Sequence, residues 1–599
     1  MCPAVTLPIK RLLIGAAALG VALALPAFAQ DRPESLLPPG FGDPVPTPTP
    51  SPSNPTSPTT TPSPSEGSAI EVVDRLTEAE VLPLPEPVPQ LEYPVSARRD
   101  ARFAGLLDLD AAGVGARPWG AASGKMLQIL MRRMDTPIAS RWAQIAVRRA
   151  LLAKAPAPAD VNPADWAAER AWLLLRLGEA DGARLLIASV DSDRFTPKMR
   201  QIALQSALAS SDPSAMCPLE NGLSKVEPRF APLVTAICAS LSGEAERAAA
   251  DIEAARRRGR INAIDLSLAD KVVGAGAETA RAVTIEWEPV TQLGSWRYGL
   301  STATAMMPPE RLVMASSLQT RAWLARAPMF SASARLASAR IAAGLGVLSS
   351  QALIDLYAAA YDATDPDALG ESDAWQLRLA FIGKDQDARL SAMRNLWGKA
   401  DTPLDKVAAQ VLLSRAARRV APSAELESDA AELVASLFAG GFDREAARWT
   451  AVVGDFDDQA GDAVWAMLAL GAPDVSALGI DASRIEDFAE RDQSEGKQRT
   501  ALLVAGLAGL GRIDAVAAGQ LNRTYRLGLG VETRWTRLID GSMRRRQAGT
   551  AALLTASALQ GRDFDEVRGI YLFHSLNALR QTGQEYMARM IAAEALART

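Results

Sequence analysis

Histidine is nearly missing from this chain. Among 599 residues there is a single imidazole, His574, and there are only three cysteines. A Ser-His-Asp triad would have to be built around that one ring, and a site with several histidine ligands cannot be built at all. Aromatic residues are also scarce, at 5% against a hydrophobic share of 48%. Ala and Leu therefore supply most of the apolar surface, which is a helix-forming vocabulary. There is no excess of positive charge. Lys+Arg total 64 and Asp+Glu 69, a formal net charge of -5. Nucleic acid is thereby excluded as a default partner, because phosphate backbones are bound by concentrated positive charge. Beyond the N-terminus no run is long and apolar enough for a bilayer, which needs about 20 residues.

What is present begins with an export signal, residues 1–29. Lys10 and Arg11 form a positive n-region, Leu12 to Leu25 an apolar h-region, and Ala27-Phe28-Ala29 an A-x-A processing site after Pro26. Cleavage is expected between Ala29 and Gln30, and retention as an anchor is the alternative. The composition suggests a Gram-negative periplasm. Cys2 is lost with the signal, which leaves Cys217 and Cys238, 21 residues apart. An even number of cysteines in an oxidising compartment predicts a disulfide between them.

Residues 30–95 are a Pro-rich linker. Pro44 to Ser68 reads PVPTPTPSPSNPTSPTTTPSPSEGS, and a second proline cluster ends at Pro94. Between Pro44 and Ser68 no apolar residue larger than Val is available to offset the ordering entropy of a fold, so the segment is expected to be disordered and extended, at about 3.1 Å per residue.

From residue 96 the pattern is helical throughout, with helical repeats over 96–270, a less regular stretch over 271–350, and further repeats over 351–599. One hairpin shows the logic. Asn162 caps a helix whose first residue is Pro163. Trp166, Ala167, Arg170, Ala171, Leu174 and Leu177 recur at helical spacing, and Gly178 ends the helix. A second helix starts near Ala180 and buries Ala183, Leu186, Ile187 and Val190. The join recurs as a Gly followed five residues later by Ala: Gly178 and Ala183, Gly243 and Ala248, Gly383 and Ala388, Gly441 and Ala446, Gly583 and Ala588. Gly511 sits in a similar place with Val516. Glycine supplies a left-handed helix end, and the small Ala lets the second helix approach the first. In these joins the chain resembles the tetratricopeptide family, whose unit of about 34 residues places Gly and Ala at that offset. The family's aromatic positions are mostly Ala or Leu here, and Ala275 to Ser350 shows little of the pattern. The resemblance implies an all-α, helical-hairpin solenoid. Residues 584–599 read as a closing helix against the last repeat, with Met587, Met590, Ile591 and Ala595 inward.

Several groups invite a chemical reading. His574 lies in YLFHSLNAL, a helix rich in Leu, where a structural role is the alternative to a general base. Ser494 and Lys497 have the S-x-x-K spacing of Ser-Lys acyl-transfer enzymes, but the companion motifs are missing and the surroundings are polar. Asp365, Asp367, Glu371 and Asp373 form an acidic loop, the weak candidate for a metal. With Asp365 as position one of a calcium loop, Gly370 is correctly placed, while Leu369 and Gln376 occupy ligand positions. Helix capping explains the same acids. Asp455, Asp457, Asp458 and Asp462 are a weaker case. Arg256, Arg257, Arg258 and Arg260 form one basic run and Arg544 to Arg546 another; each reads as a solvated helix end or as a patch for an acidic partner. GLAGLG, Gly506 to Gly511, lacks the order of a nucleotide loop, and no cofactor is expected. Of the twelve Trp, most have core spacing. Trp287 and Trp296 flank EPVTQLGS in the least regular region and are the candidate interaction surface, with core filling the alternative.

The expectation is a non-enzymatic periplasmic scaffold that binds a protein partner of the cell envelope. The alternative is a glycan-acting or glycan-binding protein, with peptidoglycan as partner. Soluble lytic transglycosylases have a similar Ala-rich superhelix but add a catalytic domain with a Glu-Ser motif, and Glu371-Ser372 here stands mid-chain without that context.

Overall fold

The computed structural model describes residues 94–599, apart from 135–136 and 278–282. The signal and nearly all of the linker lie outside the described residues. Among those described, every extended element is helical: 29 α-helices are joined by short 3-10 turns. Two isolated bridges, Leu107 with Ala153 and Ile138 with Gln560, are the extended pairings. Leu91–Thr599 forms one compact unit. No helix among these residues is long and apolar enough to cross a membrane.

The hairpin at Asn162 forms as its residues dictate. The Asn162 side chain accepts from the backbone N–H of Ala164 at 2.9 Å and of Asp165 at 3.2 Å. The helix Pro163–Arg176 buries Trp166, Ala167, Arg170, Ala171 and Leu174. Neighbouring helices cover it on more than one side, so Ala168, Leu173 and Leu175 are buried as well. At its end Gly178 is left-handed, with φ 87°, and Glu179 N–H closes back on Leu174 O at 2.9 Å. Gly243, Gly441 and Gly583 repeat this, with φ of 85°, 82° and 88°. The Ala five residues beyond each is fully buried. Gly383 departs from the pattern. Its φ is -49°, and the next helix is started by Asp385, whose carboxylate accepts from Ala388 N–H at 2.8 Å. An acid cap there does the work that a left-handed glycine does elsewhere.

The closing helix, Glu585–Ala597, differs from expectation in its partners. It packs against Asp458–Gly471, Gly569–Gln581, Gln498–Leu510 and Glu427–Gly440, and also against Arg141–Leu152 near the start of the described chain. The helix Ala332–Leu345 likewise returns to Arg141–Leu152. The helices therefore close on the first described segments of the chain, where an end cap alone was expected.

Polar bonds fasten this closure. The Glu594 carboxylate accepts from Ser140 Oγ at 2.6 Å, Arg141 N–H at 2.8 Å and Trp142 N–H at 3.2 Å. It thus satisfies the free N–H groups at the start of a helix some 450 residues earlier in sequence. Arg598 donates to the same carboxylate at 3.1 Å. From the other side, the buried Arg141 guanidinium donates to Ala343 O at 2.9 Å and Ala439 O at 3.0 Å, the last turns of two further helices. Trp142 Nε1 donates to Phe438 O, and Tyr586 Oη to Gly441 O. Burial pushes the Arg141 guanidinium down to about 10, so it remains a cation at neutral pH among helix C-terminal carbonyls. Arg170, pushed down by burial to about 9, serves Leu151, Ala153 and Ala104 in the same way. Arg589 and Arg512 do so for Gly471 and Ala472.

Candidate functional site

Cys217 and Cys238 are joined, with Cα atoms 5.5 Å apart. The bond ties the 3-10 segment Pro213–Leu219 to the helix Ala231–Leu241. The other sequence candidates are taken up by the frame. Both nitrogens of His574 face acceptors: Nδ1 stands 2.8 Å from Asp540 Oδ1, and Nε2 stands 3.1 Å from Leu529 O. A general base needs a nitrogen free to take a substrate proton, and this ring spends one on a carboxylate and the other on a backbone carbonyl. The side chains of Ser494 and Lys497 go to different partners. Ser494 Oγ donates to Asp492 at 2.7 Å, and Lys497 Nζ donates to Ala489 O. The Asp492 carboxyl is pushed up by burial, but hydrogen bonds from Ser494 and Thr500 outweigh this and hold it below the ordinary Asp value.

The acidic loop is helix capping and ion pairing. Asp365 accepts from Asp367 N–H at 3.0 Å at the start of a one-turn helix, and Asp373 receives Lys399 Nζ at 2.6 Å. Among the described residues no group of three or more His, Cys, Asp or Glu could hold a metal ion. Trp287 and Trp296 do not form a shared exposed surface. Trp296 is only 5% exposed, stacks on Phe230 at 4.5 Å and donates through Nε1 to Asp265 O. Trp287 is half-buried against the core. The break in helical phase comes from the nonhelical run before Ser295.

A cleft of about 440 Å³ lies where the weaker acidic loop stands. Its walls are the turn Val453–Asp455, the helix Asp458–Gly471 and the helix Ala482–Arg491. At its floor Asp462 is clamped by Arg484 at 2.6 Å and by Arg491 at 2.7 and 2.9 Å. Burial pushes the Asp462 carboxyl up, but the hydrogen bonds from Arg491 and Arg484 outweigh this and hold it below the ordinary Asp value. The Arg484 guanidinium lies over Trp465, 4.2 Å from the ring centroid, and Trp465 Nε1 donates to Leu478 O. Arg484 thus covers one face of the indole, and Phe456 is the other aromatic ring of the lining. Asp455, Asp457 and Asp487 stand exposed at the rim. The clamp was missed in sequence because its parts lie 22 and 29 residues apart. The signal was there in the spacing of Arg484 and Arg491, seven residues apart on one helical face.

No protein-family model, curated protein or solved structure matches this chain.

Proposed function

We propose that the protein is an exported, non-catalytic helical-repeat scaffold that engages a protein partner in the cell envelope. The observation that carries this reading is the state of His574. The one imidazole of the chain is a strut between Asp540 and Leu529, not a free base. Ser494, Lys497 and Asp462 are committed in the same manner. The repeated Gly-x4-Ala joins support a tetratricopeptide-like solenoid as the underlying architecture. The A-x-A site and the cysteine pair support export into an oxidising compartment.

The test combines localisation with capture. A C-terminally tagged chain should be recovered from periplasm with Gln30 as its first residue. Photo-crosslinkers placed at exposed helix positions should trap one recurring envelope protein, and a scrambled position set should not. Incubation with purified sacculi separates the alternative: release of soluble muropeptides would overturn the non-catalytic reading.

A further inference from the structure

The left-handed position of the helix joins is glycine at Gly178, Gly243, Gly441 and Gly583. One more join has the same geometry and a different residue. Between the helices Arg534–Arg544 and Ala548–Ala558, Arg546 is left-handed with φ 53°. Its N–H donates to Met543 O at 2.9 Å, and Gln547 N–H donates to Ser542 O at 2.9 Å. The corresponding bonds at Gly178 run to Leu175 O and Leu174 O. Ala551, five residues beyond, is fully buried like the other join alanines. Four other non-glycine residues have positive φ, namely Ser211, Ala305, Lys497 and Arg526, but none has Ala at that offset.

A side chain with a Cβ is disfavoured in this conformation, and glycine is not. No side-chain bond of Arg546 among the described residues compensates. Neither the Arg546 nor the Arg544 guanidinium has a hydrogen-bond or ionic partner among the described residues, and both are exposed. Two residues apart in a continuous helix, they would point about 200° away from each other. The reversal at Arg546 instead sets both on one recess of about 320 Å³, with Met543, Asn577 and Gln581 as its other walls. No carboxylate lines it. The nearest acid along the same helix, Asp540, is held by His574. Asn577 is kept in place by an Nδ2 contact to Met543 Sδ and by Arg580, both at 3.4 Å.

We propose that this recess binds a phosphate monoester. Two guanidinium groups and two amides offer N–H donors around an open space. A terminal phosphate has three oxygens and up to two charges, against two oxygens and one charge for a carboxylate, so it can take a fork from each arginine and balance more of their charge. A soluble phosphorylated metabolite and the headgroup of phosphatidic acid share this chemistry. The inference does not depend on the scaffold reading.

The test uses the full chain with two probes: sn-glycerol 3-phosphate by calorimetry, and phosphatidylcholine vesicles doped with phosphatidic acid by co-sedimentation. Saturable binding of either probe, weakened by salt, is expected. Binding to the soluble probe alone identifies a metabolite site, and binding to the vesicles alone a lipid site. Arg546→Gly restores the residue of the other joins, so it should unfold at the same temperature or higher while affinity drops about tenfold or more. Arg544→Gln should weaken binding similarly. The proposal is overturned by no saturable binding of either probe, by Arg546→Gly binding as tightly as the parent, by a fall in its unfolding temperature, or by succinate binding as tightly as the phosphate.

Discussion

Replacing Glu594 with alanine should loosen the contact between the last helix and the first ones. Its carboxylate accepts three bonds from Ser140, Arg141 and Trp142 and one from Arg598, in a place where Ser140 is fully buried and Arg141 and Trp142 nearly so. Arg598 keeps its bonds to Ala139 O and Arg562 O, and Ser140 keeps Ala143 N–H, so these two are partly compensated. The N–H groups of Arg141 and Trp142 are stranded. Each orphaned buried donor costs about 1–3 kcal/mol, and breaking a buried ionic network costs about 3–5 kcal/mol. A loss of about 3–5 kcal/mol is expected for Glu594→Ala, and about half of that for Glu594→Gln, whose amide oxygen still accepts. A chain of this size need not unfold in one step, so hydrogen exchange by mass spectrometry is the better assay. Peptides covering residues 139–146 and 585–597 should exchange faster in the variant, while those covering 231–258 should not change. Equal acceleration everywhere, or a loss under about 1 kcal/mol, would falsify the idea that Glu594 holds the closure.

Three further outcomes are expected. Replacing Cys217 and Cys238 by Ser removes a constraint on a loop of about 20 residues and should cost about 3 kcal/mol in denaturant titration, with parent protein in reductant behaving alike. Gly243→Ala and Gly441→Ala should separate backbone strain from clash. A Cβ at Gly243 meets nothing within 4 Å, so the cost should be about 1–2 kcal/mol. At Gly441 it would lie 2.6 Å from Tyr586 Oη, so thermal melts should place Gly441→Ala clearly below Gly243→Ala. Finally, Asp462 titrates below its ordinary value of 3.8 because two guanidinium groups hold it charged. Its contribution is present above that pH and is lost as pH falls through the lowered value. The stability gap between the parent and Asp462→Asn should therefore be wide at neutral pH and narrow in strong acid. A gap that widens on acidification would contradict the clamp.

Local signals carried most of the fold. Asn162, Pro163 and Gly178 mark their helix boundaries because capping and left-handed ends are decided within a turn of chain. Four of the five named Gly-x4-Ala joins adopt the expected geometry for the same reason. Gly383 fails because Asp385, two residues on, offers a competing cap. Long-range geometry was not legible. Nothing near Glu594 announces that its partner is Arg141, and for Asp462 the spacing of Arg484 and Arg491 marks a basic helical face without saying which acid it meets. Trp296 looked special because helical periodicity lapses before it, yet Phe230, distant in sequence, covers its ring. The cysteine pair was readable from compartment and count alone.

The bond between Glu594 and the start of the Arg141 helix bears on how such a chain could have changed length. An open array tolerates the gain or loss of a hairpin, because each added unit only moves the free end. A circuit that must bring its last helix back onto an early one has no such freedom. Inserting one hairpin would carry Glu594 away from Ser140 and leave the N–H groups of Arg141 and Trp142 without their acceptor. The number of helices between these two residues is thus under geometric constraint, and variation in length is pushed outward to the loops.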